Sequence, residues 1–270
     1  MQPLVQHVAL GVEYDGSCFH GWQRQASQRS VQQTLEEALG RIADAPISLI
    51  AAGRTDAGVH ATQQIVAFGS PVERPVRAWL RGTNSLIPPD VSVRWAVMVP
   101  PEFHPRYSAT GRRYQYVFLE AERAPSIARQ YVTWTPGTLD DAAMHRAAQV
   151  LLGEHDFTSF RSAACQAKSP FRCVFSISVR RRDELVVIEV TANAFLQHMV
   201  RNIAGGLLQV GRGERDAVWI AEVLMARNRT LLGPTARPEG LYLVDVQYGG
   251  AYEFPRAPPP AILRAAGDVW

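Results

Sequence analysis

Residues 47–68 read ISLIAAGRTDAGVHATQQIVAF and place two apolar stretches on either side of a polar loop that contains two glycines. Short apolar runs bounded by turn residues are typical of buried β-strands. We therefore predict strands at 47–52 and 63–68. The loop presents Arg54 and Asp56 two positions apart, which can hold an ionised acid beside a cation, as a nucleophile or an anion site requires. The same residues also fit an ordinary turn whose aspartate satisfies its own backbone.

Further elements surround this stretch in a definite order. Residues 7–14 read as a strand that ends in a turn pair, and 91–99 read as another. Ser30 and Gln33 form a capping box, and Pro75 suits the first turn of a second helix. The first helix repeats apolar residues on one face: Val31, Leu35, Ala38, Leu39 and Ile42. The order is β-α-β-β-α-β, which indicates a ferredoxin-like (split βαβ, RRM-like) half in the α+β class.

The second half of the chain repeats this order. We predict a strand at 114–119, a helix capped by Thr138 that runs to Leu152, and a hairpin of 171–179 with 185–191. Helices at 198–210 and 217–226 and a strand at 241–248 complete the set. The resulting domains are 1–106, 107–250 and an extended Pro-rich tail at 251–270.

Composition excludes several classes of protein. The chain has 270 residues, 47% of them apolar, so it can bury a full core. No apolar run is long enough for a membrane helix, and the first residues lack the features of a signal peptide. We expect a cytoplasmic protein without membrane attachment. The three cysteines, Cys18, Cys165 and Cys173, have no metal-binding spacing, so free thiols and no metal are expected.

The cations are almost all arginine. The net charge is +3, and Lys168 is the sole lysine among 28 Lys and Arg residues. Arginine binds phosphate in a bidentate manner and stacks on bases, which suits RNA; codon bias explains the same excess. Local clusters such as Arg112–Arg113 favour a surface that follows phosphates over part of its area. We expect the run at 180–182 to be a solvated hairpin tip.

Elimination of other chemistries leaves Asp56 as the candidate nucleophile or base. The chain has no phosphate-binding Gly-x-x-x-x-Gly-Lys loop, no dinucleotide fingerprint after a strand, no His-x-x-x-His pair and no Gly-x-Ser-x-Gly elbow. Arg54 and other arginines are the expected charge partners of Asp56. Arg201 lies in the first turn of a predicted helix, where a cation is unfavourable, so it needs either an anionic partner or exposure to solvent.

Six segments together resemble the tRNA pseudouridine synthase A family over essentially the whole chain. The most specific is AAGRTDAGVHA at 51–61. The others are YDGSCFHGWQRQ at 14–25, FHPRYSATGRRYQY at 103–116, GEHDFTSFR at 153–161, NAFLQHMVRN at 193–202 and EGLYLVDVQY at 239–248.

The resemblance implies a cofactor-free isomerase that converts uridine to pseudouridine in the anticodon stem-loop of tRNA, at positions 38–40. It also implies a homodimer, and two ferredoxin-like halves that join into one largely antiparallel sheet with helices on one face. The active-site cleft would lie between the halves.

The same resemblance assigns roles to individual residues. Asp56 would be the catalytic aspartate, and Arg201 would pair with it from the other half of the chain. Tyr114 would stack on the uracil and take the C5 proton. Arg54 would replace the extruded uridine in its stack. The remaining expected substrate-binding residues are His60, Gly21, Trp22, Gln23, Phe157 and Leu243. Two alternatives stay open: an RNA-binding module without catalysis, and a hydrolase that uses Asp56 and releases free uracil.

Overall fold

The computed structural model describes residues 5–250, 252–256 and 263, which form two compact units. The first contains the described residues of Met1–Thr110 and Leu243–Pro258, and the second those of Gly111–Tyr242 and Pro259–Trp270. Both contain strands and helices, and their long strands pair antiparallel, which confirms the α+β class. None of the helices in the described part of the chain has the length and apolar composition needed to span a membrane.

The strands and helices are labelled in chain order. The strands are β1 (Gln6–Tyr14), β2 (Ile50–Ala51), β3 (His60–Ser70), β4 (Val91–Met98), β5 (Gly111–Glu120), β6 (Thr133–Thr135), β7 (Gly153–Asp156), β8 (Phe171–Arg182), β9 (Leu185–Ala192) and β10 (Leu241–Gln247). The α-helices are α1 (Val31–Ala43), α2 (Thr83–Leu86), α3 (Asp141–Ala148), α4 (Met199–Gly211) and α5 (Trp219–Ala226).

The first unit is built on an antiparallel sheet in which β1 lies between β3 and β4. β2 pairs with one part of β3, and β10 is the strand on the other side of β3 from β1. The pairing of β1 shifts register between Val12 and Tyr14, so Tyr14 lies opposite Ala61 at the start of β3. This irregularity turns the end of β1 toward the loop that precedes β3.

In the second unit, β9 lies between β5 and β8, and β7 pairs with the other side of β8, all antiparallel. β6 pairs with β5 in parallel.

The arginine run at 180–182 was expected to be a solvated hairpin tip. This prediction is wrong for its middle residue, Arg181. Arg181 is only partly exposed and binds Glu120, Asp141 (3.1 Å) and the Leu139 carbonyl.

The predicted strand at 47–52 is reduced to Ile50–Ala51. The Leu49 N–H donates to Glu36 Oε1 (2.9 Å), and the Leu49 carbonyl accepts from Gln32 (3.4 Å). The backbone before β2 is therefore satisfied by side chains of α1 and not by a neighbouring strand. The predicted strand at 63–68 begins three residues earlier, at His60.

Helix ends also differ from prediction. Ser30 caps α1 by accepting from the Gln33 N–H at 3.4 Å, but the Gln33 side chain binds Glu37 (2.8 Å) and leaves the capping box half formed. Thr138 is not the cap of α3: Asp140 accepts from the Ala143 N–H (2.7 Å). The helix predicted from Pro75 contains a π-helical stretch, Ala78–Gly82, before α2. Strands β6 and β7 were missed.

The predicted tail at 251–270 lies largely outside the described residues. Within 252–256, Phe254 stacks on Trp95 with ring centroids 5.2 Å apart, and it also contacts Phe103. This short segment therefore packs on the first unit.

Candidate active site

The loop between β2 and β3 carries Asp56 and is fixed by backbone hydrogen bonds. Thr55 O accepts from the Trp22 N–H (3.0 Å), and the Gly58 N–H donates to Phe19 O (3.3 Å). Asp56 O accepts from the Val59 N–H (3.2 Å), which closes a turn. The Asp56 side chain is half-buried, whereas Arg54 is exposed. The segment that follows β1 thus holds the main chain on both sides of the carboxylate.

Two buried side chains add to this support. Gln64, on β3, donates from Nε2 to Gly53 O at 2.7 Å. Tyr14, at the end of β1, hydrogen-bonds through its hydroxyl to Thr55 Oγ1 at 2.8 Å. Burial raises the pKa of Tyr14 to about 12, against smaller opposing effects of the Thr55 and Gln64 side chains. The phenol therefore stays protonated at neutral pH.

Two glycines explain why the motif at 14–25 accompanies the Asp56 loop. Gly16 lies so close to the loop that a Cβ atom there would be 2.0 Å from Val59 O. Gly21 has a φ of +91°, and its Cβ would be 2.8 Å from Thr55 O. Glycine is needed at Gly16 for the close approach, and at Gly21 for the close approach and the positive φ together. The two segments form one packed substructure.

His60 and Trp22 also belong to this substructure. His60 is buried, and its Nδ1 accepts a hydrogen bond from the Gly16 N–H at 3.1 Å. The same Nδ1 lies 3.3 Å from Asp15 Oδ1. Trp22 is buried beside Tyr14, with ring centroids 6.1 Å apart. Gln23 is exposed and donates to Gln32 Oε1 at 2.7 Å. All three were expected to bind substrate; His60 and Trp22 have clear roles in holding the loop.

The expected pairing of Arg54 with Asp56 stays a prediction. Arg54 is an exposed cation on the loop. An exposed ion pair gains little energy in water, so such a pairing would add little to stability.

The second unit positions Tyr114 and Arg201. Tyr114, on β5, is 8% exposed, and its ring packs edge-on against Phe195 at 5.0 Å. Arg201 is in the first turn of α4, as predicted, and donates from Nε to Ala236 O at 2.8 Å. Its own carbonyl accepts from the Ala236 N–H at 3.1 Å. These two bonds fix the direction of the guanidinium group.

The remaining expected substrate-binding residues are buried. Phe157 is 0% exposed, with its ring 5.9 Å from that of Phe160. Leu243, on β10 in the first unit, is also 0% exposed. The structure thus gathers Asp56, His60, Gly21 and Trp22 in one substructure. The convergence of Tyr114 and Arg201 on Asp56 stays a prediction.

The sequence was compared with known proteins. The profile of the family described as tRNA pseudouridine synthase matches residues 11–108 and 147–249. The chain belongs to this family. tRNA pseudouridine synthase A of Vibrio vulnificus (strain YJ016) is 52% identical over 249 residues, covering 92% of this chain and 94% of that protein. The protein of the same name from Escherichia coli O1:K1 / APEC is 50% identical over 264 residues, covering 98% of each chain.

A solved structure, the crystal structure of a Cbf5-Nop10-Gar1 complex, aligns with a TM-score of 0.35 and 13% identity, over 87% of this chain and 48% of that chain. This similarity is too low to add to the family assignment.

Sequence reasoning missed the side chains that hold the Asp56 loop: Tyr14, Thr55 and Gln64. One signal was present in the sequence. Gln63 and Gln64 begin the predicted strand at 63–68, whose other residues are apolar, and a buried amide needs hydrogen-bond partners. The partner of Gln64 is the carbonyl of Gly53, eleven residues away in the loop.

Proposed function

We propose that this protein isomerises uridine to pseudouridine in the anticodon stem-loop of tRNA and needs no cofactor. The observation that carries the proposal is Asp56: a half-buried carboxylate on a loop held rigidly from both sides, in a chain of the tRNA pseudouridine synthase family. A rigid support is what a catalytic group requires.

The reaction breaks the N1–C1′ bond of uridine and joins C5 to C1′. N1 gains a proton and C5 loses one, so the atoms balance without a co-reactant. An ionised Asp56 can attack C1′, stabilise an oxocarbenium-like centre there, or take a neighbouring ribose proton. Tyr114 would stack on the uracil and accept the C5 proton, and Arg201 would keep Asp56 charged.

The target base must first leave its stack, which costs a few kcal/mol. Arg54 is suited to offset part of this cost, because its guanidinium is exposed and a planar cation can stack on neighbouring bases. The proposal further includes action in the cytoplasm and a homodimer in which each tRNA contacts both subunits.

Replacement of Asp56 tests the proposal directly. Asp56→Asn keeps the shape of the side chain but removes its charge, so we expect normal tRNA binding and no detectable pseudouridine. Carbodiimide labelling of treated tRNA, read as reverse-transcription stops, measures the product. Asp183→Asn is the matched control: Asp183 is exposed with φ 51°, a conformation that asparagine also adopts, and turnover should equal that of the wild type.

The same assay distinguishes the alternative functions. Free uracil released from the tRNA would identify a hydrolase, whereas binding that leaves the RNA unchanged would identify an RNA-binding module. Pseudouridine formation by Asp56→Asn at the wild-type rate would refute the role of this carboxylate.

A further inference from the structure

Three anchors hold the loop next to its catalytic side chain. Before Arg54, the carbonyl of Gly53 is held by Gln64 at 2.7 Å. Between Arg54 and Asp56, Thr55 is held twice: its carbonyl by the Trp22 N–H at 3.0 Å and its hydroxyl by Tyr14 at 2.8 Å. Thr55 precedes Asp56 directly, so its orientation sets where the Asp56 side chain leaves the main chain.

The Tyr14 hydroxyl has no evident role in holding the sheet together. β1 is already joined to β3 and β4 by backbone pairing along its length. Tyr14 is 3% exposed and Thr55 is 7% exposed, so water does not readily substitute for either hydroxyl. The bond links residues 41 positions apart and ends on a loop side chain.

We propose that Tyr14 is a positioning residue for the isomerisation, because its hydroxyl fixes Thr55 and thereby the direction of the Asp56 carboxylate. This inference rests on the function proposed above. Tyr14 does not touch the substrate in this role. A catalytic group must lie within about 0.5 Å of its productive position, so loss of this one bond affects the rate more than it affects binding.

Single-turnover kinetics with tRNA test the proposal. Tyr14→Phe and Thr55→Val each remove one hydroxyl and keep the shape of the side chain. We expect each to lower the single-turnover rate about 10- to 100-fold, by analogy with small misplacements of catalytic groups. The Kd for tRNA should change less than about twofold, and Thr55→Ser, which keeps the hydroxyl, should restore most of the rate.

The double variant adds a second readout. If both hydroxyls act through one bond, Tyr14→Phe combined with Thr55→Val loses no more rate than either change alone. Tyr248→Phe is the matched control. It removes another buried tyrosine hydroxyl of the first unit, bound to Pro105 O at 2.9 Å, and should leave the rate unchanged.

The outcomes separate the inference from the function on which it rests. Wild-type protein that forms no pseudouridine would overturn the proposed function and this role with it. An active wild type with unchanged rates in Tyr14→Phe and Thr55→Val would overturn only the positioning role, as would multiplicative losses in the double variant. Thermal melting verifies that each variant is folded, and Thr55→Val keeps the test decisive if Tyr14→Phe does not fold.

Discussion

At the scale of single residues, Gly21 combines a close approach to the Asp56 loop with a positive φ. Gly21→Ala would place a methyl group 2.8 Å from Thr55 O at a φ of +91°. The loop must then move, so we expect a loss of about 1–3 kcal/mol in unfolding free energy from strain, together with a clear fall in the isomerisation rate. Urea unfolding and single-turnover assays measure the two effects.

Gly137 provides the control for this change. Its φ is +74°, yet a Cβ atom there would meet no neighbour within 4 Å. Gly137→Ala should therefore lower the unfolding free energy through its backbone conformation alone, and its isomerisation rate should equal that of the wild type. Equal loss of activity in the two variants would contradict the importance of the contact between Gly21 and the loop.

Arg201 permits a separate prediction. In the proposed mechanism its main partner is the Asp56 carboxylate, so Arg201→Ala should lose far more rate than tRNA affinity. Arg180→Ala, at an exposed position on β8, controls for the loss of one positive charge. Weaker binding by Arg201→Ala with an intact single-turnover rate would count against the pairing.

The candidate site was only partly predictable at this scale. Asp56 stood out because a polar loop between two apolar runs is visible in the sequence. The contacts of its neighbours were not visible, because Tyr14 and Thr55 meet across 41 residues. The exposure of Arg54 was not visible either, because closeness in sequence to Asp56 does not determine which loop side chain faces solvent.

At the scale of secondary structure elements, Arg181 joins β8, β5 and the start of α3. Glu120 is 9% exposed and accepts from Arg181 as well as from the Leu139 N–H at 2.6 Å. These bonds to Glu120 raise the pKa of Arg181 further, so it remains charged. Arg181→Met would leave Glu120 as a nearly buried charge without its cation. We expect a loss of about 1–3 kcal/mol in unfolding free energy, measured by urea titration.

Arg180→Met, one position away and exposed, is the control and should change stability by less than about 0.5 kcal/mol. Similar losses in both variants would show that the effect comes from β8 in general and not from the Glu120 contact.

Helices and strands were predictable where the sequence repeats apolar residues over a long stretch. The apolar face of α1 is confirmed at Val31, Leu35, Ala38 and Leu39, all buried. Short strands were not predictable. β2 has only two residues, and the N–H of Leu49, just before it, donates to Glu36 of α1. Local patterns cannot indicate that a helix side chain will take the place of a strand partner.

At the scale of the whole molecule, the grouping of β10 could not be derived from sequence order. The strand itself was predicted, at 241–248. From Leu243 onward it belongs to the first unit, although more than 130 residues of the second unit precede it. Strand pairing is set by long-range contacts that no local pattern records.

Buried phenols make the stability of the molecule sensitive to alkaline pH. Burial raises the pKa of Tyr14 to about 12 and also raises the pKa of Tyr116. An unfolded chain ionises tyrosine near pH 10, so above that pH it releases protons that the folded state keeps. The unfolding free energy should therefore be highest below pH 10 and fall between pH 10 and 12, by about 2–3 kcal/mol for Tyr14 alone.

Lysine and arginine contribute little to this effect, because Lys168 is the sole lysine and is exposed, and arginine stays charged in this range. Urea unfolding at pH 8, 10 and 11 measures the slope, which should be smaller in Tyr14→Phe and smaller still when Tyr116→Phe is added. A wild-type stability that is constant from pH 8 to 11 would mean that these phenols are accessible to solvent, and the Tyr14 contact with Thr55 would then be too open to hold the Asp56 loop.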